Sequence, residues 1–176
     1  MAELIRPDTR LRVSFLSAME EFREDGRAGE ESMIGWDLTR FGDTWESEEG
    51  FAAYVRETLD EADRPRAEGF VCQTSWWWVE DDEYVGRISL RHELNERLRD
   101  FGGHIGYDVR RSRRREGHAT RMLAAVLLEA HARGIDPALV TCDADNVASR
   151  KVIEANGGVL EDQRGHKLRF WVPTRA

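Results

Sequence analysis

The chain has 176 residues, 40% hydrophobic and 34% charged, with a formal net charge of −8. That length bounds a single domain, 1–176, with room for a buried core, and the acidity argues against a nucleic-acid partner, for which a basic domain is expected. No apolar run nears the ~20 residues that span a membrane, no secretion signal opens the chain, and Cys72 and Cys142 make neither a disulfide framework nor a metal pattern, so no membrane, no metal and a cytoplasmic location are expected.

Leu11, Phe15, Leu16, Met19 and Phe22 recur at helical spacing and predict a first helix over 11–25. Residues 26–46 mix glycines and turn-formers with Met33, Ile34, Trp36, Phe41 and Trp45 and read as an ordered loop. Ser47 serves as N-cap of a second helix whose inner face carries Phe51, Tyr54, Val55, Thr58 and Leu59. Residues 64–69 end it. Then 70–79 reads as a strand and 84–91 as its hairpin partner across the acidic turn Glu80–Glu83. A polar excursion, 92–100, leads to a central strand over 103–109. An amphipathic helix follows, with Ala119, Met122, Leu123, Val126, Leu127 and Ala130 on one face. A strand at 138–143, a helix over about 146–155 and two closing strands near 158–161 and 166–172 complete an α+β order.

Between the central strand and its helix lies an arginine-rich turn containing Gly117. The first N–H groups of the helix lack intrahelical partners, and its dipole places roughly half a positive charge there. Gly117 and Ala119 leave room for a ligand near the backbone, and the arginines add mobile positive charge. This is a site for a phosphate or pyrophosphate.

Arg114-Arg115-Glu116-Gly117-His118-Ala119 resembles the Arg/Gln-x-x-Gly-x-Gly/Ala signature of the GCN5-related N-acetyltransferases (GNAT superfamily). Asn146 and Ser149 occupy the Asn-x-x-Ala/Ser positions of that family's second cofactor segment, and Glu154-Ala155-Asn156-Gly157-Gly158 is similar to the helix end that follows it. The motifs span about residues 84 to 172. Gly103-His104-Ile105-Gly106-Tyr107 and the Asn-Gly-Gly run place the chain nearest a bacterial, small-molecule-type branch. The resemblance implies a mixed, mostly antiparallel sheet flanked by helices. In it the strands 103–109 and 138–143 splay apart and hold acetyl-coenzyme A (acetyl-CoA) as co-substrate. Residues 1–69 then build the acceptor site and 70–172 the cofactor core. Tyr107, Asp108, Val109, Arg114, Arg115, Glu116, Gly117, His118, Ala119, Thr120, Asn146 and Ser149 become the cofactor-contacting set. The family often forms homodimers, though no residue here marks an interface.

The implied reaction is direct attack of an amine on the thioester carbonyl, with the oxyanion held by backbone N–H around Tyr107 to Val109. An amine with a pKa near that of lysine is protonated at neutral pH, so a base or a water chain is needed. Many family members carry a tyrosine acid seven residues after the motif asparagine. Here that position is Ile153, which donates no proton, leaving Cys142 or water as substitutes. Cys142 also reads as a small filler on a buried strand. The catalytic candidates are Glu93, as base or amine anchor, followed by His92 and His104. A loop His-Glu pair is ordinarily solvated, and His104 also reads as a hydrogen-bonding residue across the sheet. Asp108 is read either as a substrate contact or as the partner of a neighbouring arginine.

Strand alternation puts Trp76 and Trp78 on one face and Trp77 on the other. One face is core; the other can wall an acceptor pocket together with Trp36 and Trp45. The function so implied is acetyl transfer to a primary amine of a small molecule, an amino-sugar antibiotic or polyamine being attractive given the acidic charge. Acetylation of a protein or peptide amine and a non-catalytic acyl-CoA sensor are the alternatives.

Overall fold

Alternation along the strands sorts the apolar side chains into two cores, one on each face of a single sheet. The computed structural model describes residues 1–29 and 31–175. Its first half contains β1 (Glu3–Ile5), α1 (Arg12–Glu24), α2 (Met33–Phe41), α3 (Glu48–Asp60), β2 (Gln73–Glu80) and β3 (Glu83–Arg91). The second half contains β4 (Ile105–Val109), α4 (His118–Ala132), β5 (Ala138–Asp143), α5 (Val147–Ala155), β6 (Val159–Arg164) and β7 (Lys167–Val172). The seven strands lie in the order β1-β2-β3-β4-β5-β7-β6. Among the described residues only β4 and β5 are parallel neighbours. This is the mixed, mostly antiparallel α+β sheet that the resemblance implies.

Trp78, Ile88, Leu90, Ile105, Val140 and Phe170 turn to one face, where Met122, Leu123 and Val126 of α4 and Ile153 of α5 cover them. Trp77, Val79 and Tyr84 turn to the other, beneath Phe15 and Phe22 of α1 and Phe51 and Tyr54 of α3. Phe15 is the hub of this second core. Its ring centroid lies 5.0–5.6 Å from those of Trp45, Phe51, Tyr54, Trp77 and Tyr84. Aromatic pairs at that spacing add to the burial of their area.

The helix starts follow capping chemistry. Ser47 Oγ accepts the Gly50 N–H at 3.0 Å, as the sequence predicts. The expected loop over 26–46 is corrected by α2, whose N-cap Ser32 accepts the Gly35 N–H at 2.8 Å. Gly35 reads as punctuation in sequence but serves close approach. A Cβ there would lie 1.6 Å from the Gly29 carbonyl oxygen, so the preceding turn folds directly onto the helix. β1 also escapes sequence reading, because three residues are too few to show a period. The hairpin turn carries positive φ at both Asp81 (49°) and Asp82 (62°), the twist that two-residue hairpins favour. Among the described residues no helix is long and apolar enough to cross a membrane.

Phe15→Ala is expected to cost about 3–5 kcal/mol in denaturant unfolding. Val13→Ala, two residues away on the outer face of the same helix and 77% exposed, should stay within about 0.5 kcal/mol.

Candidate active site

β4 and β5 pair at a single position, Ile105 with Val140. Beyond it they part, leaving a gap that opens toward Val109 and Asp143. The Arg110 N–H donates to the Val85 carbonyl on the β3 side at 2.9 Å. Backbone groups alternate along a strand, so the Tyr107 and Val109 N–H groups point the other way, into the gap. The closed end is stapled by His104. Its N–H donates to the Leu139 carbonyl at 2.7 Å, and its Nδ1 accepts the Leu139 N–H at 2.9 Å. Burial and then the Arg91 charge push the His104 pKa down to about 4, so the ring is neutral and committed to the sheet. Its placement is the cross-sheet one, with both ring-side and backbone bonds to Leu139 at the closed end.

At the open end, Arg115 (φ 67°) and Gly117 (φ 75°) turn the chain into α4. Among the described residues the N–H groups of 115–120 have no backbone acceptor, and they head a 15-residue helix. Successive free N–H groups at such a terminus form an anion cradle. The flanking arginines, by contrast, are mostly engaged in ion pairs. Arg110 is held by Glu21 at 2.5 Å, Arg111 by Glu24 at 2.8 Å and Arg114 by Asp25 at 2.7 Å. Arg113 is bound by Glu80, Glu83 and Glu116. Only Arg115, exposed, has no ion pair among the described residues. The cradle is therefore made of backbone, and the arginines shape it. His118 is turned inward, its Nδ1 accepting the Trp78 Nε1–H at 3.0 Å. It and Ala119 offer the cradle their N–H groups alone.

Asn146 caps α5, accepting the Ser149 N–H at 3.0 Å. The Ser149 hydroxyl in turn lies 2.7 Å from the Tyr107 hydroxyl, a bridge from α5 to β4. Burial pushes both the Tyr107 phenol and the neighbouring Cys142 thiol up, so each keeps its proton. Ile153 is core. A protonated hydroxyl pair thus stands beside the gap at residues the sequence marks only as cofactor contacts. The spacing rule looks for one donor further along α5, not for two elements meeting.

The face of the sheet under α1, α2 and α3 carries polar groups. Asp108 is buried there and paired with Arg27, so it offers its side chain to this face rather than to the gap. Burial pushes its pKa up while Arg27 pulls it down. Asp37 accepts from Tyr54 at 2.9 Å and pairs with Arg66 and Arg87. The Trp36 ring lies 5.0 Å from that of Phe70, tilted by 45°, and lines a cleft of about 290 Å³ with Phe41, Glu61 and Arg66.

The structure does not bring Trp76, Trp78, His92 and Glu93 together with Trp36 or the gap. Trp76 and Trp78 face α4, on the opposite side from Trp36, and Trp78 is core, so neither shares a pocket with it. His92 follows Leu90 onto the α4 side, its Nε2 2.9 Å from the Thr74 hydroxyl. That hydroxyl also accepts from Arg133, just beyond the far end of α4. Glu93 is exposed and lies past the closed end, where the Arg91 N–H meets the His104 carbonyl. Neither His92 nor Glu93 lies along the gap.

The family model for the acetyltransferase (GNAT) domain matches residues 22–159. Among solved structures, the microcin C7 self-immunity acetyltransferase MccE, in complex with acetyl-CoA and AMP, matches with TM-score 0.66 and 10% identity, over 97% of this chain and 90% of that one. Mycobacterium smegmatis RimJ, in complex with CoA-disulfide, matches with TM-score 0.67 and 17% identity, over 97% and 80%. RimL, a ribosomal L7/L12 alpha-N-protein acetyltransferase in complex with coenzyme A, matches with TM-score 0.64 and 17% identity, over 97% and 92%. A search of curated proteins found no match.

The folded pKa of His104 lies below its unfolded value of 6.5, so its stabilising share is complete above that value and is lost as pH falls toward 4. From pH 7.5 to 5 the loss is on the order of 2 kcal/mol. Urea unfolding of His104→Gln at both pH values should show that portion of the acid slope gone; an unchanged slope would contradict the neutral staple.

Proposed function

The chain belongs to the GNAT acetyltransferase domain family, and from that premise we propose that it transfers the acetyl group of acetyl-CoA to a primary amine of a small molecule. One observation carries the reading. The free N–H groups of Tyr107 and Val109 face a gap whose mouth is the backbone cradle of residues 115–120. The cradle fits the pyrophosphate of coenzyme A, and the gap fits its extended arm. When bound, acetyl-CoA supplies an activated carbonyl, to which the amine nitrogen bonds as the thiolate leaves.

The protein's own groups divide the remaining work. The Tyr107 and Val109 N–H groups stabilise the carbonyl oxygen as charge builds on it. Asp108, buried on the face opposite α4, receives the acceptor ammonium and takes its proton; burial raises its basicity toward that task. The Ser149–Tyr107 pair returns a proton to the thiolate, a role that Ile153 cannot fill. The cleft of about 290 Å³ beside Trp36 favours a small acceptor. The likeness to RimL and RimJ favours a second reading, an N-terminal peptide amine.

Release of coenzyme A thiol, followed across amines and short peptides, tests the activity and separates the two acceptor classes. Asp108→Asn is expected to lower kcat/KM about a hundredfold or more, with Glu93→Gln within about twofold. Equal losses in the two would return the base to Glu93. Gly117→Val, at a left-handed position, should weaken acetyl-CoA binding at least about tenfold by calorimetry, whereas Arg111→Ala should stay within about twofold.

A further inference from the structure

Arg87 lies in β3 opposite Asp108 of β4. Its residue is 6% exposed, and one nitrogen, Nη1, pairs with Asp37. Its Nε and Nη2 are buried with no hydrogen-bond partner among the described residues. Idle donors on a buried cation are costly, and their presence in a folded protein calls for an acceptor. Along the same face the next cross-strand pairs are small. Ser75 and Ser89 stand opposite each other with hydroxyls 2.8 Å apart, and Ser89 faces Gly106. Gly106 keeps β4 free of a side chain at this point, and the flexible Met33 side chain packs over it. A Cβ there would lie 3.2 Å from Met33 Cε above it and 3.5 Å from Arg91 Nη1 beside it. Arg91 closes the lane, its Nη1 donating to the Gly102 carbonyl at 2.9 Å.

Charge on this face does not balance. The guanidiniums of Arg27, Arg66, Arg87 and Arg91 meet the carboxylates of Asp37, Glu61 and Asp108. Arg91 itself has no ion pair among the described residues. Burial, followed by the charges of Arg66, Arg97 and Arg87, pushes its pKa down to about 10, the mark of a cation among cations. The molecule is acidic overall, yet among the described residues this lane has one guanidinium more than carboxylates.

We propose that Arg87 and Arg91, on either side of the Ser75–Ser89 floor, bind a carboxylate of the acceptor, so that the amine acetylated here belongs to an amino acid or another short amino-carboxylic acid. Adjacent strands lie about 4.8 Å apart. The anion over β3 and the amine at β4 are therefore only a few bonds from each other, which excludes a long polyamine or amino sugar. Asp108 and the guanidiniums together match the two poles of a zwitterion. The inference rests on the acetyl-transfer reading and narrows its acceptor.

The test begins without a known acceptor. In saturating coenzyme A, which fills the phosphate cradle, the unfolding temperature is titrated with acetate and with inorganic phosphate against chloride at fixed ionic strength. Acetate should raise the midpoint of the native protein at lower concentration than phosphate, and Arg91→Gln and Arg87→Gln should abolish that difference. Arg91, at the rim, keeps the test valid if the buried Arg87 variant fails to fold. No acetate effect, or the same effect in Arg91→Gln, overturns the proposal. Amino acids are then compared with their carboxamides as acceptors. A kcat/KM ratio of about tenfold or more in favour of the acid, collapsing toward one in Arg91→Gln, supports it; preference for carboxamides or peptides overturns it while leaving acetyl transfer in place. Failure of acetyl-CoA itself to bind would instead remove the reading on which the proposal stands.

Discussion

The parting of two parallel strands after one pair is the constraint on which the rest of this protein is arranged. Parallel neighbours ordinarily satisfy each other's backbone along their length, and orphaned N–H and C=O groups are costly when buried. Here the cost is contained on every side. His104 and Leu139 close the narrow end with two hydrogen bonds. The α4 and α5 helices seal one face with their apolar stripes, and the Tyr107–Ser149 bridge joins the parted elements. What remains unsatisfied is a short run of β4 backbone at the open end, beside a helix start with its own unpartnered N–H groups. An extended ligand with an anionic head answers both deficits at once.

Charge is placed with the same economy. The C-terminal end of α1 carries Glu21, Glu24 and, at its cap, Asp25, where the helix dipole disfavours acids by about 0.3–1 kcal/mol each. Arg110, Arg111 and Arg114 offset that disadvantage directly. The net charge of −8 therefore says little about any one surface. The acids concentrate where they brace the arginine turn, and the lane around Arg87 and Arg91 is left positive. Net charge alone therefore does not locate the charge that the acceptor meets.

Most of the fold was legible in the sequence because its periods are long and its motifs local. The α4 stripe, the Ser47 cap and the strands 84–91 and 138–143 stand close to where their residues point. The α2 helix was hidden by Gly35, which reads as a breaker unless the approach of Gly29 is known. The cradle was legible for the same local reason, since Gly117 and the residues after it form one turn. The acceptor lane was not. Arg87, Ser89, Ser75, Asp108 and Asp37 come from four elements, and no spacing in the chain announces their meeting. The misplacement of Trp78 has the converse origin: alternation separates faces but does not say which face a helix will cover.

The ion pairs between α1 and the arginine turn also bear on how such a chain can change over generations. Residues 1–69 and 70–172 look in sequence like an acceptor half and a cofactor half, a division that would let one be exchanged for another. Glu21, Glu24 and Asp25 belong to the first, and the turn they brace belongs to the second. A graft of foreign N-terminal helices would leave three arginines uncompensated beside the phosphate cradle. New acceptors are thus more accessible to this scaffold through substitutions along the β3 lane than through recombination of its halves.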